Sequence, residues 1–323
     1  MDKAYTVKGF GEARLKFAAL QTPGDLAGLL GITQGALFHL AAYPRYTYFR
    51  KRTGRRKRRA LFRPTPELKS VQKSLNYFLQ AVYYPIRPAS VHGFVKCPSD
   101  VPYKLSILSN AQCHTGKNYV VSADVFRFFP TISATMVRNV FLSAPFHFNV
   151  DLASALALLC VCRNWLPAGS PVSPVISNLV CIPLDQALER LAEGHGYTYT
   201  RYADDLTFSG NEPPGDMFRQ QLEMILGQHG FLLNYKKYRV QSRHSRQMVT
   251  GLVVNEKVNL PRAYKKKLRA MVHNMEHSVT LQACTFLKKY WLGEIERQYF
   301  INMIEGRKRW VKQVEMFGNH HSP

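Results

Sequence analysis

Two adjacent carboxylates in an otherwise apolar stretch are the first chemistry this sequence offers. Asp204 and Asp205 lie between Tyr197-Thr198-Tyr199-Thr200 and Leu206-Thr207-Phe208, and Ser209-Gly210-Asn211 closes the pattern. The β-branched and aromatic runs predict two strands, with both aspartates at the turn between them. Neighbouring carboxylates repel, and partial burial worsens the repulsion unless a cation answers it. A solvated Asp-Asp turn is the ordinary alternative; the apolar flanks favour a divalent metal. Mg²⁺ takes oxygen ligands and keeps part of its shell for water and substrate phosphates. A phosphate site therefore needs a further carboxylate from another strand. Tyr119-Val120-Val121-Ser122-Ala123-Asp124 supplies it, because Asp124 ends an apolar run. Alone, Asp124 reads as a cap or turn residue. With Asp204 and Asp205 it makes a three-carboxylate set.

Holding that set requires a sheet, and the rest of the chain predicts mainly helices to cover it. In residues 1–48, Leu26, Leu29, Leu30, Leu37, Phe38 and Leu40 recur at helical spacing, and Gly31-Ile32-Thr33 breaks the run, with Thr33 as an N-cap. Two short helices can form a DNA-binding helix-turn-helix, but basic side chains are few, so packing on the back of the next domain is the preferred reading. Residues 50–59 hold Arg50, Lys51, Arg52, Arg55, Arg56, Lys57, Arg58 and Arg59. A disordered basic tract is one reading; Tyr46, Tyr48 and Phe49 before it and Leu61-Phe62 after it favour a basic hairpin with Gly54 at its tip. Helices are expected over 67–82, 133–141 with Ser133 as its cap, 152–162, 174–191 and 218–226. Strand is expected within 247–254. From Leu260 the chain turns helical and basic, with Lys265, Lys266 and Lys267 near its start and the aromatics Tyr264, Phe286, Tyr290, Trp291, Tyr299, Phe300 and Trp310 interleaved. Most of these aromatics are expected in a core. His114 lacks a second histidine or cysteine at ligand spacing and reads as a hydrogen-bonded structural histidine.

Charge narrows the partner. Lys and Arg number 44 against 21 Asp and Glu, a net +23 over 323 residues, which points to a polyanion. An anionic membrane surface is the rival; no apolar run approaches the ~20 residues of a span. The N-terminus lacks a signal pattern, so a cytoplasmic protein without a membrane partner is expected. Six cysteines without paired metal spacing read as reduced thiols rather than a zinc site. With 46% hydrophobic residues the chain is globular, and its length suggests about two domains.

In order, Asp124-Val125-Phe126-Arg127-Phe128-Phe129-Pro130-Thr131-Ile132, Leu166-Pro167-Ala168-Gly169-Ser170-Pro171 and Tyr202-Ala203-Asp204-Asp205 resemble three successive palm motifs of reverse transcriptases. Asn110-Ala111-Gln112-Cys113-His114 and Val249-Thr250-Gly251 resemble two further motifs of bacterial retron reverse transcriptases. The resemblance runs from about residue 50 to about residue 260. It implies an α+β right-hand polymerase with an antiparallel palm sheet: a helical N-terminal extension over 1–48, fingers over 49–118, palm over 119–255 with finger helices around 133–190, and a basic helical thumb over 256–323.

The implied function is RNA-directed DNA synthesis from dNTPs with two Mg²⁺ ions. The template would be a cognate structured non-coding RNA and the product branched, RNA-linked single-stranded DNA (msDNA), in anti-phage defence beside a toxic effector protein. By resemblance, Asp124, Asp204 and Asp205 hold metal, with backbone carbonyls offered by Val125 and Phe126. Lys237, or its neighbour Lys236, protonates the pyrophosphate. Arg59 and Lys57 contact the triphosphate, Phe129 stacks beneath the sugar and excludes rNTPs, and Ala168-Gly169 lie near the nucleotide. Arg55, Arg56, Arg58, Asn110, His114, Lys265, Lys266 and Lys267 are the expected RNA contacts. Two departures bear on nucleotide selection: Ala168 stands where the family usually has Gln, and Arg127 where an acidic or small residue is common. Rival readings are a group II intron-like or phage-defence reverse transcriptase, or an inert RNA-binding scaffold; the intact carboxylates argue against the last. Oligomeric state is left open.

Overall fold

The computed structural model describes residues 6–52, 58–287 and 293–320, with Arg58, Arg59, Glu276, His277 and His320 described by backbone alone. Three helices open the chain: α1 (Val7–Ala18), α2 (Pro23–Leu30) and α3 (Gln34–Ala42). Thr22 and Asp25 form a reciprocal capping box on α2, Gly31 ends it at φ 72°, and Thr33 caps α3. The break is where the sequence placed it. Phe10, Phe17, Leu26 and Leu37 are buried in the main core, against later helices. The three helices thus share one core with the elements that follow.

Strands β1 (Tyr46–Arg52) and β2 (Arg58–Pro64) pair antiparallel, with Arg52 opposite Arg58. Gly54, Arg55, Arg56 and Lys57 lie outside the described residues. Helix α4 (Pro66–Ile86) buries Leu68, Val71, Leu75, Phe78, Leu79 and Val82 on one face, as the spacing predicts. It runs one turn past the expected end and takes Pro85 into that turn. Helix α5 (Ile107–Gln112) is capped by Ser106.

The central sheet contains β3 (Tyr119–Asp124), β4 (Thr198–Tyr202), β5 (Asp205–Gly210) and β6 (Arg239–Ser242), in the order β4-β5-β3-β6 and antiparallel throughout. Between β3 and β4 run α6 (Phe128–Thr131), α7 (Ala134–Leu142), α8 (Val150–Cys160), α9 (Ser173–Val180) and α10 (Ile182–Gly194); α11 (Asp216–Gln228) precedes β6. Alternation along β3 sorts its side chains. Val121 and Ala123 enter the main core, Val120 enters a second core behind the sheet, and Ser122 and Asp124 line a groove.

Two expected helices are corrected. The one placed over 174–191 is two helices that break at Cys181, since Pro183 has no N–H to continue the first ladder. The one placed over 152–162 starts at Val150, because Asn149 accepts from the Leu152 amide at 2.9 Å, and it stops at Cys160.

A small hairpin of β7 (Met248–Val249) and β8 (Leu252–Val253) turns at Thr250 and Gly251, both at positive φ (47° and 86°), a conformation that favours glycine at the second site. Helices α12 (Arg262–His277), α13 (Val279–Leu287) and α14 (Glu294–His320) complete the chain. Leu268, Met271, Ala283, Phe300 and Ile304 form a small core of their own, while Tyr264, Trp310 and Val314 join the core behind the sheet. Tyr290 and Trp291 lie outside the described residues. Secondary structure is thus α+β, and no helix among the described residues is long and apolar enough to cross a membrane.

Candidate active site

The β4–β5 turn is two residues long, and Ala203 takes it through the left-handed region at φ 60°. The next residue, Asp204, lies on the turn, and Asp205 begins β5 directly opposite Asp124 of β3. A Val125 N–H bond to the Asp204 carbonyl at 3.0 Å ties the two segments together. Each of the three aspartates places a carboxylate oxygen within 4.8 Å of the others.

Asp124 is buried and well partnered. Its carbonyl accepts from the Asn234 amide at 2.8 Å, and the Asn234 side-chain nitrogen donates to its Oδ1 at 2.8 Å. The Lys237 ammonium pairs with Oδ2. Asp205, an exposed residue, lines the groove, and its carboxyl is pushed up to about 6, first by desolvation and then by the charges of Asp204 and Asp124. The charges of Asp204 and Asp124 thus oppose ionisation of Asp205. All three donors are hard oxygens, and no His or Cys among the described residues joins the group. That donor set fits Mg²⁺ rather than zinc. Lys237 and Lys236 are separated: the first is on Asp124, and the second lines a recess with Phe126 and Leu232.

The residues expected to contact nucleotide lie in the stretch after β3, in the loop before α9 and in the β1–β2 hairpin. Phe129 is half-buried, its ring 6.0 Å from Phe94 and 5.5 Å from Phe128 between centroids. Phe126 is exposed, with its N–H donating to the Leu232 carbonyl at 2.8 Å, and Arg127 is left-handed at φ 50°. The Ala168 carbonyl accepts from the Phe62 amide at 2.8 Å, and a Cβ on Gly169 would lie 2.8 Å from the Phe62 carbonyl oxygen. Only glycine allows this loop so close to β2. Arg59 stands opposite Lys51 in the basic hairpin; its side chain and the whole of Lys57 lie outside the described residues.

Two expected RNA contacts are corrected. Asn110 and His114 are buried completely, so neither side chain can meet RNA at the surface. His114 bridges Ser209 Oγ and Thr200 Oγ1, each at 2.7 Å, and burial pulls its pKa down to about 3. It is a neutral structural histidine, as its lack of ligand partners predicts. Neither amide atom of Asn110 has a partner among the described residues. The Thr250 hydroxyl donates to the Ile107 carbonyl at 3.2 Å, so the segments around Asn110 and Thr250 pack together. Thr250 and Gly251 line a groove of about 760 Å³ that begins at Asp124 and Asp205 and also takes in Arg239 and Arg246. Lys266 and Lys267 are exposed on α12, whereas Lys265 pairs with Glu315 at 2.8 Å. Arg55 and Arg56 lie outside the described residues, as does the side chain of Arg58.

Sequence reading missed a buried charge beside the turn. Arg201 forms a two-pronged pair with Asp185, Nε to Oδ1 at 2.7 Å and NH2 to Oδ2 at 2.6 Å, with both side chains fully buried. The available signal was an arginine inside an apolar strand, which requires an acid somewhere out of sequence.

No family model matches the chain. It is similar to Retron Mx65 reverse transcriptase of Myxococcus xanthus, at 33% identity over 298 residues that cover 84% of this chain and 67% of that protein. Similarity to Retron Ec86 reverse transcriptase of Escherichia coli is 34% over 244 residues, 74% of this chain and 72% of that protein. Retron Mx162 reverse transcriptase of Myxococcus xanthus is 34% identical over 251 residues, 67% of this chain and 50% of that protein.

Proposed function

Because the chain belongs to the retron reverse transcriptases, which are RNA-directed DNA polymerases, we propose that it copies its own structured RNA into single-stranded DNA that stays joined to that RNA by a 2′,5′ branch. The observation that carries the reaction is the meeting of Asp124, Asp204 and Asp205 at one end of the two central strands, their oxygens within 4.8 Å, where Asp124 and Asp205 open a groove that also holds Lys237, Arg239 and Arg246.

The right-hand division follows as part of this reading: helical extension over 1–48, fingers over 49–118, palm over 119–255 and thumb over 256–323. Asp124 and Asp204 would hold the metals, with Asp205 and the Val125 carbonyl beside them. Two Mg²⁺ ions held there would acidify the primer hydroxyl and stabilise the leaving pyrophosphate. Lys237, whose ammonium pairs with Asp124, would give a proton to that leaving group. Phe129 would lie under the sugar and leave no room for a 2′-hydroxyl. Arg59 and Lys57 would grip the triphosphate next to the Ala168-Gly169 loop, which is tied to β2 through Phe62. Arg55, Arg56, Arg58 and the Lys265–Lys267 run would hold RNA phosphates. With the family, the cell setting is anti-phage defence beside a toxic effector.

Branched priming makes a strict physical demand. A 2′-hydroxyl inside an RNA chain is crowded by its own 3′-phosphate, so the RNA fold must aim it. The test is to purify the protein with its nucleic acid, treat half with a debranching enzyme and resolve both halves on a denaturing gel. RNA-linked DNA that shifts on debranching is expected. DNA that carries no RNA, or that does not shift, overturns the retron product while leaving reverse transcription intact.

A further inference from the structure

We propose that Arg201, backed by Asp185 and Asn178 and opposed by Gly93, is a positioning residue that fixes the turn carrying Asp204 in its metal-binding shape before any metal arrives. The inference rests on the metal reading of the three carboxylates.

A fully buried ion pair needs a reason other than stability. Removing two charges from water is expensive, and apolar replacements of similar volume are often neutral or stabilising. Here the pair has a use for its remaining donors. Beyond its fork on Asp185, the guanidinium NH1 donates to Asn178 Oδ1 at 2.9 Å and to the Ala203 carbonyl at 3.2 Å. That carbonyl belongs to the peptide that leads into Asp204. The Tyr199 hydroxyl donates to Asp185 Oδ1 at 2.9 Å and fixes the acid's orientation.

Gly93 closes the grip from the other flank. A Cβ there would lie 2.5 Å from the Ala203 nitrogen. Its carbonyl accepts from the Asn178 side chain at 3.0 Å, which links both flanks through one residue. The segment is itself laced to β4: the Arg201 amide donates to the Ser90 carbonyl at 2.9 Å, and the His92 amide donates to the Arg201 carbonyl at 3.0 Å. Ala203 is thus hydrogen-bonded at its oxygen and closely flanked by Gly93 at its nitrogen, in a left-handed conformation that a non-glycine residue adopts only when its surroundings impose it. Mutual repulsion among three carboxylates favours a relaxed turn, and the clamp opposes that relaxation. Sites prearranged in this way act without reorganising at the moment of reaction.

Four variants test it: Arg201→Lys, which keeps the charge but loses the fork; Arg201→Met with Asp185→Leu, an apolar pair; Gly93→Ala; and Asp204→Asn as the control. Mn²⁺ binding to the RNA-free protein is read by electron paramagnetic resonance, alongside melting temperature, RNA affinity and the separate values of kcat and KM for dNTP. The double variant is expected to keep its melting temperature and RNA affinity while Mn²⁺ affinity falls about tenfold or more, with loss in kcat rather than in KM. Gly93→Ala, whose Cβ would press on the Ala203 backbone, should likewise lower Mn²⁺ affinity, with some loss of melting temperature. A folded double variant that binds Mn²⁺ as the wild type does overturns the clamp. Should that variant fail to fold, wild-type Mn²⁺ binding in both Arg201→Lys and Gly93→Ala overturns it equally. If Asp204→Asn binds Mn²⁺ as well as the wild type, the metal reading itself fails, and the clamp falls with it.

Discussion

The carboxylate end of the central strands and the helices α12–α14 treat charge in opposite ways. At that end, three acids are brought together, and Asp124 is buried with partners on its carbonyl and on both carboxylate oxygens. Along α12, Arg262, Lys266, Lys267 and Arg269 stand exposed, over a helical core of only a few side chains. Chemistry requires a few charges aimed within a fraction of an ångström. Affinity for a phosphodiester chain needs many charges at roughly the right density, and aim matters little. The same molecule therefore has one region where a single substitution is decisive and another where loss is graded.

The sharpest way to break that contrast is Asp204→Asn with Asp205→Asn. Metal stabilisation of the transition state is worth several kcal/mol, so synthesis should fall by roughly a thousandfold or more, with RNA affinity unchanged in a filter-binding titration. Polymerisation near the wild-type rate would remove the carboxylates from their role. Replacing Lys265, Lys266 and Lys267 by Ala should show the graded side. The log-log salt slope of RNA binding should shrink by ~0.7–0.9 for each phosphate that the protein no longer neutralises, and self-primed synthesis should suffer about tenfold more than extension of a supplied primer-template. Equal losses in the two assays would mean that α12 does not grip the folded RNA.

Phe129→Ala tests aim without charge. Opening space beside the 2′ carbon should raise rNTP use relative to dNTP use, by several-fold in primer extension; an unchanged ratio takes Phe129 out of sugar selection. The smallest effect concerns protons. Asp205 has its carboxyl raised from 3.8 to about 6 on folding. Its contribution to stability is therefore full below the unfolded value and is lost as pH rises through about 6. A divalent cation offsets that loss where the carboxylates are ionised. Added Mg²⁺ should thus raise the melting temperature of the RNA-free protein by a few degrees at pH ~7.5 and by less at pH ~5.5. An equal shift at both would detach Asp205 from the metal.

Features written locally in the chain are legible from sequence. Asp124 and the Asp204-Asp205 pair stand out because strand patterns surround them, and Thr33 and Ser133 cap helices as short polar residues do. Features that depend on distant partners are not. Asp185 lies on α10, 16 positions before Arg201, and nothing in its own neighbourhood marks it as buried. Pro183 does announce the break at Cys181, but a continuous apolar stripe masks it. Asn110 and His114 are expected at RNA only through the family resemblance, and α5, six residues long, is too short for its spacing to reveal that Asn110 faces inward.

The hydrogen bond between Thr250 and Ile107, 143 positions apart, has a bearing on engineering. The residues around them, Leu108, Ala111, Val249 and Leu252, share one core. The two stretches are therefore a single module encoded in two pieces. A chimaera between relatives that transplants one piece alone sets foreign side chains against a native seam, so an exchange of either stretch has to move both together.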